Sequence, residues 1–481
     1  MVASGYKTPA SDMNNCKPTP SGSNSRRVFL RHAGLATAGV FLGRWAGSSA
    51  FAADDAPKRV APDLLSSAKL EKAKPRPDLL DDESPKGLEV IQLTTELGVP
   101  WAHLYMEAQV FSMDSKRFVL HRSATAHGGN KNDPKHQYYL CDIENGCALS
   151  PLTQETGCVA PSVSPDGKYL YYFVDETTVG GGQFALKRVN LDGTDRRTLL
   201  VVDAPLPGTK FRPSRLYPIS TISSDSKRLA ISGFLGDGEC DPPPYGLMVF
   251  DLEKATVNLV IHGPTWCNMH SQYCRSTDPE ASRDILIQEN HGCVITPKGE
   301  CKVLAAGDGA DIHVIRDDGT NFRNMPWGRD GNERCQGHQC WRGRTMWGIT
   351  STSSAKPRGA FLIEGKAAPH TGHVGLNTPG GVRNDLTRDL KESRFSHFAG
   401  DIAGRRFISD AGPFDKGGRI FAAEFGEPGK DALRNWKRLL NPRSTCIKQS
   451  HIHPFLSPDG KLGFFNSDES GVLQAYMLRG I

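Results

Sequence analysis

The sequence predicts an all-β protein, and three observations predict it. First, one grammar recurs along the chain: SMDSKRFVL (112–120), SPDGKYLYYF (164–173), SSDSKRLAIS (223–232), TPKGECKVL (296–304), AGRRFIS (403–409) and SPDGKLGFF (457–465). Each is a polar Asp/Gly turn, a basic residue and a β-rich apolar run, the tip and second strand of a hairpin. Second, with a divergent copy near Trp341-Arg342-Gly343, the turns fall near 114, 166, 225, 298, 343, 402 and 459, which is seven units 45 to 73 residues apart. That period suits four short strands plus variable loops, so the expected architecture is a seven-bladed β-propeller. Third, long amphipathic helical patterns are scarce after residue 90, which excludes a helical solenoid. A large two-sheet sandwich is the alternative the same strands would permit.

Three segments are expected. Residues 1–52 contain Ser25-Arg26-Arg27-Val28-Phe29-Leu30, a mildly apolar glycine-rich stretch from Ala33 to Gly43, and the triplet Ala50-Phe51-Ala52. A twin arginine, a weak hydrophobic region and an A-x-A site describe a Tat export signal, which places the mature protein in the periplasm or outside the cell. Arg44 and Trp45 interrupt the apolar run well short of the ~20 residues a membrane anchor needs. Met13 offers a second translation start. Residues 53–95, with KLEKAKPRPDLLDDESPKG, carry little to bury and read as a linker or N-terminal arm. Residues 96–481 are the expected propeller.

Charge excludes one partner class. Six of the 58 basic residues but only one of the 53 acidic residues lie in the first 52 positions, so the remainder carries 52 of each. A neutral chain of this kind lacks the clustered positive charge of a nucleic-acid binder, and no membrane span is expected in it. Eleven of the twelve cysteines lie beyond the signal, many in close pairs: Cys141 and Cys147, Cys267 and Cys274, Cys293 and Cys301, Cys335 and Cys340. In an oxidising compartment such pairs are expected to form disulfides, with at least one thiol left over. The CxxC spacing of a zinc knuckle is absent.

The stretch CIKQSHIHPF (446–455) carries the candidate site. In an extended chain Gln449, His451 and His453 would share one face. Two imidazoles and an amide oxygen facing one place suit a divalent metal ion. A pair of histidines on a loop or a solvated strand face is the plainer alternative.

Beyond these residues, HIHPFLSPDGKLGFFNSDESGVLQAYM at 451, SHFAGD at 396, QENHG at 288 and GHQCW at 337 follow the order and spacing of the oligogalacturonate lyases, and the chain resembles that family from about residue 100 to its end. The resemblance implies a seven-bladed propeller cleaving short pectin fragments by β-elimination, a carbon–oxygen lyase with an acidic oligosaccharide substrate and a divalent metal, usually manganese, at the channel mouth. It implies His338, His451 and His453 as metal ligands, His291 as catalytic base and Arg275 as the assisting arginine. His397 and Asp401 in SHFAGD also match and are taken as structural, while His370 and His373 fall in an apparent insertion and are expected to face solvent. The chain departs from the family in three places. Lys448 occupies the glutamine position of the Gln-x-x-His-x-His cluster and cannot ligate while protonated, which moves the amide role to Gln449; HGCV lacks the acidic neighbour of the base; and the segment around His338 has gained cysteines.

The chemistry explains the residue types. Elimination at a 4-linked uronide removes the C5 proton, and a cation on the adjacent carboxylate stabilises the resulting enolate-like species. The base must be unprotonated, which imidazole allows. A non-catalytic propeller binding an acidic glycan or a protein partner through the same face is the second reading, because fold alone does not choose among functions.

Overall fold

A computed structural model describes residues 72–128, 130–305, 309–327, 333–354, 359–367, 381–390, 394–411 and 417–481. The expected export signal, His370 and His373 lie outside these residues. Helix among them is limited to three single 3-10 turns, at Pro77–Leu79, Ala281–Arg283 and Lys448–Ser450. None is long and apolar enough to cross a membrane.

The strands form seven antiparallel blades, six of four strands and one of five. Blade 1 is Ala102–His103, Arg117–Arg122, Gln137–Asp142 and Ala148–Pro151; blade 2 runs from Cys158–Val163 to Arg197–Val202; blade 3 from Thr221–Ile222 to Thr256–Gly263. Blade 4 comprises Gln272–Tyr273, Asp284–Asn290, Ala310–Arg316 and Arg323–Asn324, and one bridge, Ala310 to Cys335, joins it to blade 5, which begins at Glu333–Trp341. Blade 6 runs from Phe395–Gly400 to Arg434–Leu440. Blade 7 holds Phe455–Leu456, Leu462–Ser467 and Gln474–Arg479, and takes its fourth strand, Glu89–Gln92, and a short outer one, Lys74–Pro75, from a segment preceding blade 1. The expected linker is therefore corrected: Val90 pairs with Leu478 and Ile91 with Met477, so the propeller begins before residue 96. Charged neighbours hid this strand, whose apolar content is only Val90 and Ile91.

Each blade packs on a neighbour through both faces, which is why middle strands such as YLYYFVD (169–175) read as continuous rather than alternating apolar runs. The apolar clusters lie between blades: Phe173, Phe184 and Phe250 meet between blades 2 and 3, and Phe398 and Ile349 between blades 5 and 6. The recurrent turn has a recurrent bond. Ser112 Oγ donates to Asp114 Oδ1 (2.6 Å), Ser164 to Asp166 (2.6 Å), Ser223 to Asp225 (2.5 Å) and Ser457 to Asp459 (2.6 Å), while each aspartate also accepts the backbone N–H of the following Lys. The residue between Asp and Lys is left-handed, with φ of 61° at Ser115 and 69° at Gly167, a conformation glycine adopts freely.

Six of the seven expected turns join an inner strand to the second strand of a blade. The seventh, near 298, closes instead a separate small hairpin, Val294–Ile295 with Cys301–Val303, inserted into blade 4. The true turn of that blade is STDPE (276–280), where Asp278 accepts backbone N–H groups without a Gly or a following Lys. The count of seven survives because one pattern was mistaken for its neighbour.

The expected cysteine pairs are also revised. None of the expected disulfides is formed: all eleven described cysteines are free thiols, and although Cys141 and Cys147 are neighbours, Cys267 meets Cys293 rather than Cys274. Cys274 donates to Thr345 O, and Cys335 and Cys340 enter different apolar clusters. Spacing along the chain misleads here because the blade crossing brings 267 and 293 together.

Val90 is buried in the closing strand. Val90→Asp should destabilise the protein by about 3 kcal/mol. A thermal melt unchanged from wild type would show that Glu89–Gln92 does not close the ring.

Candidate metal centre

The inner strands end irregularly at one end of the channel, and the irregularities aim side chains at the axis. On blade 5 the register slips between Cys335 and Gln339, with Gly337 at φ 85°; on blade 6 it slips between Phe395 and Phe398. Such bulges re-aim side chains, here His338 and His397. Their carbonyls are held by Thr350 Oγ1 (2.8 Å) and Ser409 Oγ (2.9 Å). On blade 7 the expected strand geometry fails. Lys448–Ser450 is a 3-10 turn and His453 has φ 45°, so Gln449, His451 and His453 do not alternate along an extended chain. Gln449 is exposed, and its carbonyl accepts the Ala126 N–H (2.9 Å). His451 and His453 nonetheless converge, because the left-handed residue turns the chain where alternation would have done so.

Five histidines meet. His127 Nε2 lies 3.1 Å from His451 Nδ1, and the candidate ligand atoms of His127, His451 and His453 all lie within 4.8 Å of one another. The His397 ring is 5.0 Å from His451, 4.5 Å from His453 and 4.5 Å from His338 between centroids. Tyr105 packs on His453 at 4.5 Å and on His270 at 5.3 Å. His127, from the loop between the second and third strands of blade 1, was missed in the sequence; it sits in SATAHGGN, where no period marks it. His397, taken as structural, belongs to the cluster. Asp401 is structural: its Oδ1 accepts the Arg405 and Arg406 N–H groups at 2.7 and 2.8 Å.

Burial, and after it the neighbouring imidazoles, push His127, His338 and His453 well below the usual histidine range and His451 down to about 4. The exposed Lys448 contributes to this at His127 and His451. Both ring nitrogens of His453, Nδ1 of His338 and Nε2 of His397 are buried without a hydrogen-bond partner, whereas buried polar atoms are ordinarily satisfied. His397 Nδ1 is held by Asp410 Oδ2 at 2.8 Å. A carboxylate orienting one ring nitrogen so that the other is left as a lone pair is the usual support of a metal-bound imidazole. The donor set therefore fits a divalent transition metal.

Beside this cluster, His270 is buried with φ 49°, its Nδ1 2.9 Å from Glu107 Oε2 and its Nε2 3.0 Å from Tyr217 OH. Burial raises the Glu107 carboxyl despite the opposing His270. Glu107 also lines an axial cavity of about 390 Å³ with Gln272, Arg275, Cys340 and Arg344. Arg275 is thus on the channel wall, half-buried. His291 lies elsewhere: its Nε2 is 2.7 Å from Asp311 Oδ2, and among the described residues no hydrogen bond or ring contact ties it to the five histidines.

Fold and site together define a seven-bladed β-propeller with a histidine centre at its axis. The chain is similar to a solved oligogalacturonate lyase in complex with manganese, at TM-score 0.61 and 18% identity, covering 85% of this chain and 97% of that one. It is also similar to the oligogalacturonate lyase from Vibrio parahaemolyticus, at TM-score 0.60 and 15% identity, with 85% and 96% covered. No protein-family model matches the sequence, and no curated protein matches it.

The depressed imidazoles give a stability prediction. Unfolded, they titrate near 6.5; folded, they stay neutral to lower pH, His451 to about 4. Between those values the unfolded chain binds protons that the folded chain does not. Stability therefore falls as pH falls, by about 1.4 kcal/mol per pH unit for each such histidine. The urea midpoint of metal-free protein should drop from pH 6.5 to 4.5, and His453→Ala should shallow the slope by about one proton. A midpoint flat across this range would show that the rings protonate in place.

Proposed function

We propose that the protein is an exported, metal-assisted lyase that cleaves uronic-acid oligomers by β-elimination, with oligogalacturonate the first substrate to test. One observation carries this reading: buried imidazoles with unpartnered nitrogens converge at the axis of a propeller similar in fold to oligogalacturonate lyases, one of them solved with manganese. His127, His338, His397, His451 and His453 would hold the divalent ion, with manganese the first candidate. When bound, the ion supplies positive charge against the substrate carboxylate, lowering the cost of the carbanion at C5. Arg275, on the cavity wall, adds a second cation to the same carboxylate. The axial mouth admits an extended acidic oligomer, and Lys448 at its exposed rim attracts it.

The base has to stand beside that carboxylate. The resemblance implies His291, but its contact with Asp311 turns it into another cluster. We infer that His270, packed on Tyr105, is that base: its Nε2, now bonded to Tyr217 OH, would take the C5 proton once substrate displaces that bond, while Nδ1 stays on Glu107. Until then the Tyr217 hydroxyl holds the Nε2 side of the ring in place.

The test uses residues 53–481 with added manganese on a panel of galacturonate and other uronide trimers, read by the ultraviolet absorbance of the new double bond. Product from at least one uronide, abolished by chelation, is the expected result. No product from any of them would leave the propeller as a binding protein. His270→Ala should lose about 10² to 10⁴ in turnover with metal content unchanged. A loss of that size confined to His291→Ala would return the role to His291.

Lys448 also repels the ion. Lys448→Gln should tighten manganese binding about fivefold, on the order of the 1 kcal/mol that a unit charge exerts at short range in water. Unchanged affinity by calorimetry would place its ammonium away from the centre.

A further inference from the structure

Blade 4 carries a second constellation that the histidine centre does not use. Glu289 lies on Asp284–Asn290, and Asp311 and His313 on Ala310–Arg316; the ladder places Glu289 opposite Asp311 and Ile287 opposite His313. His291 follows Glu289 by two. The period of two puts all four groups on one face as a staggered grid of three rows, Glu289 beside Asp311, with His313 one row to one side and His291 one row to the other. Their polar atoms converge: His291 Nε2 is 2.7 Å from Asp311 Oδ2 and 3.7 Å from Glu289 Oε2, His313 Nε2 is 3.4 Å from Glu289 Oε2, and candidate ligand atoms of Glu289, Asp311 and His313 lie within 4.8 Å of one another.

His313 shows what the grid is built for. It is 1% exposed, and its Nδ1 is 2.7 Å from Asn324 Oδ1, an acceptor, so Nδ1 carries a hydrogen and Nε2 is the atom turned to the Glu289 carboxylate. At 3.4 Å from Glu289 Oε2 that nitrogen meets no hydrogen-bond geometry. A cation or an extra proton between the nitrogen and the carboxylate would satisfy both. The remaining shell is of the kind that orients ligands: Thr265 Oγ1 donates to Glu289 Oε1 (2.5 Å), and Trp266 and Phe322 pack on the His313 ring at 5.7 and 4.7 Å. Glu289 and His291 keep 21% and 17% of their side-chain surface, which leaves an entry from solvent.

We propose that Glu289, His291, Asp311 and His313 form a second divalent metal site, separate from the axial histidines. Two imidazoles and two carboxylates make a mixed nitrogen and oxygen set, suited to zinc, iron(II) or manganese(II) rather than to magnesium or calcium. The site shares no residue with the axial five and pins the second and third strands of blade 4 to the loop that crosses from blade 3. It does not depend on the proposed lyase activity.

Zinc is the probe. Mature protein stripped by chelator, loaded with zinc, passed over a desalting column and analysed for elements should hold two equivalents. His453→Ala should lose one of them. Glu289→Gln and His313→Gln should each lose the other and keep the axial one. Because His313 is buried, circular dichroism checks that His313→Gln folds; if it does not, Glu289→Gln, on the solvent-facing side, decides the outcome alone. Cobalt(II) substitution should add a visible absorption band that disappears in Glu289→Gln and persists in His453→Ala. A single zinc equivalent in wild type, lost with His453, would overturn the proposal and leave a cluster neutralised by protons alone. Unchanged stoichiometry in folded Glu289→Gln would overturn it equally.

Discussion

The site depends on the closure of the ring between blades 7 and 1. Glu89–Gln92 completes blade 7 through its bonds to Gln474–Arg479, and Arg76 fastens the segment by pairing with Glu469 at 2.5 Å. Across the same seam the His103 N–H reaches Asn466 Oδ1 and the Asp459 N–H reaches Ser115 Oγ. The axial histidines use this seam. His127 belongs to blade 1, His451 and His453 to blade 7, and the 3.1 Å approach of His127 to His451 exists only in the closed ring. An ion held by these histidines only in the closed form would stabilise closure by mass action.

The two clusters solve the burial of titratable groups in opposite ways. At the axis the groups are imidazoles, and burial keeps them neutral at the expense of unsatisfied nitrogens. On blade 4 carboxylates and imidazoles stand together. Burial alone would raise the Glu289 carboxyl, yet the His313 and Thr265 side chains and nearby His291 hold it down at about 2.

The blades were legible because their repeating unit is local. A Ser–Asp turn and an apolar strand lie next to each other in the chain, and the bonds that define the turn join close neighbours. What failed was non-local or conformational. The hairpin at 294–303 has the same turn chemistry as a blade tip, and only its partners distinguish it. The closing strand pairs with residues near the opposite end of the chain. Gln449 was expected beside His451 and His453 because alternation assumes extended backbone, and the 3-10 turn Lys448–Ser450 breaks that assumption. His127 has no local signature, since a loop histidine is recognised only by what the fold brings against it. His291, implied by resemblance, shows how a matched position can carry a side chain into different company.

The closing strand has a consequence in time. Its partner strand is made about 390 residues later, and at synthesis rates of about 5 to 20 residues per second it waits roughly 20 to 80 seconds for a partner. During that interval its unpaired backbone is exposed to other chains. The sequence around it, KLEKAKPRPDLLDDESPKGLEVIQ, is dense in charge and proline and holds only four residues of the closing strand. Those features hid the strand from pattern reading, and they are what keeps a waiting edge from pairing with the wrong neighbour before the ring is complete.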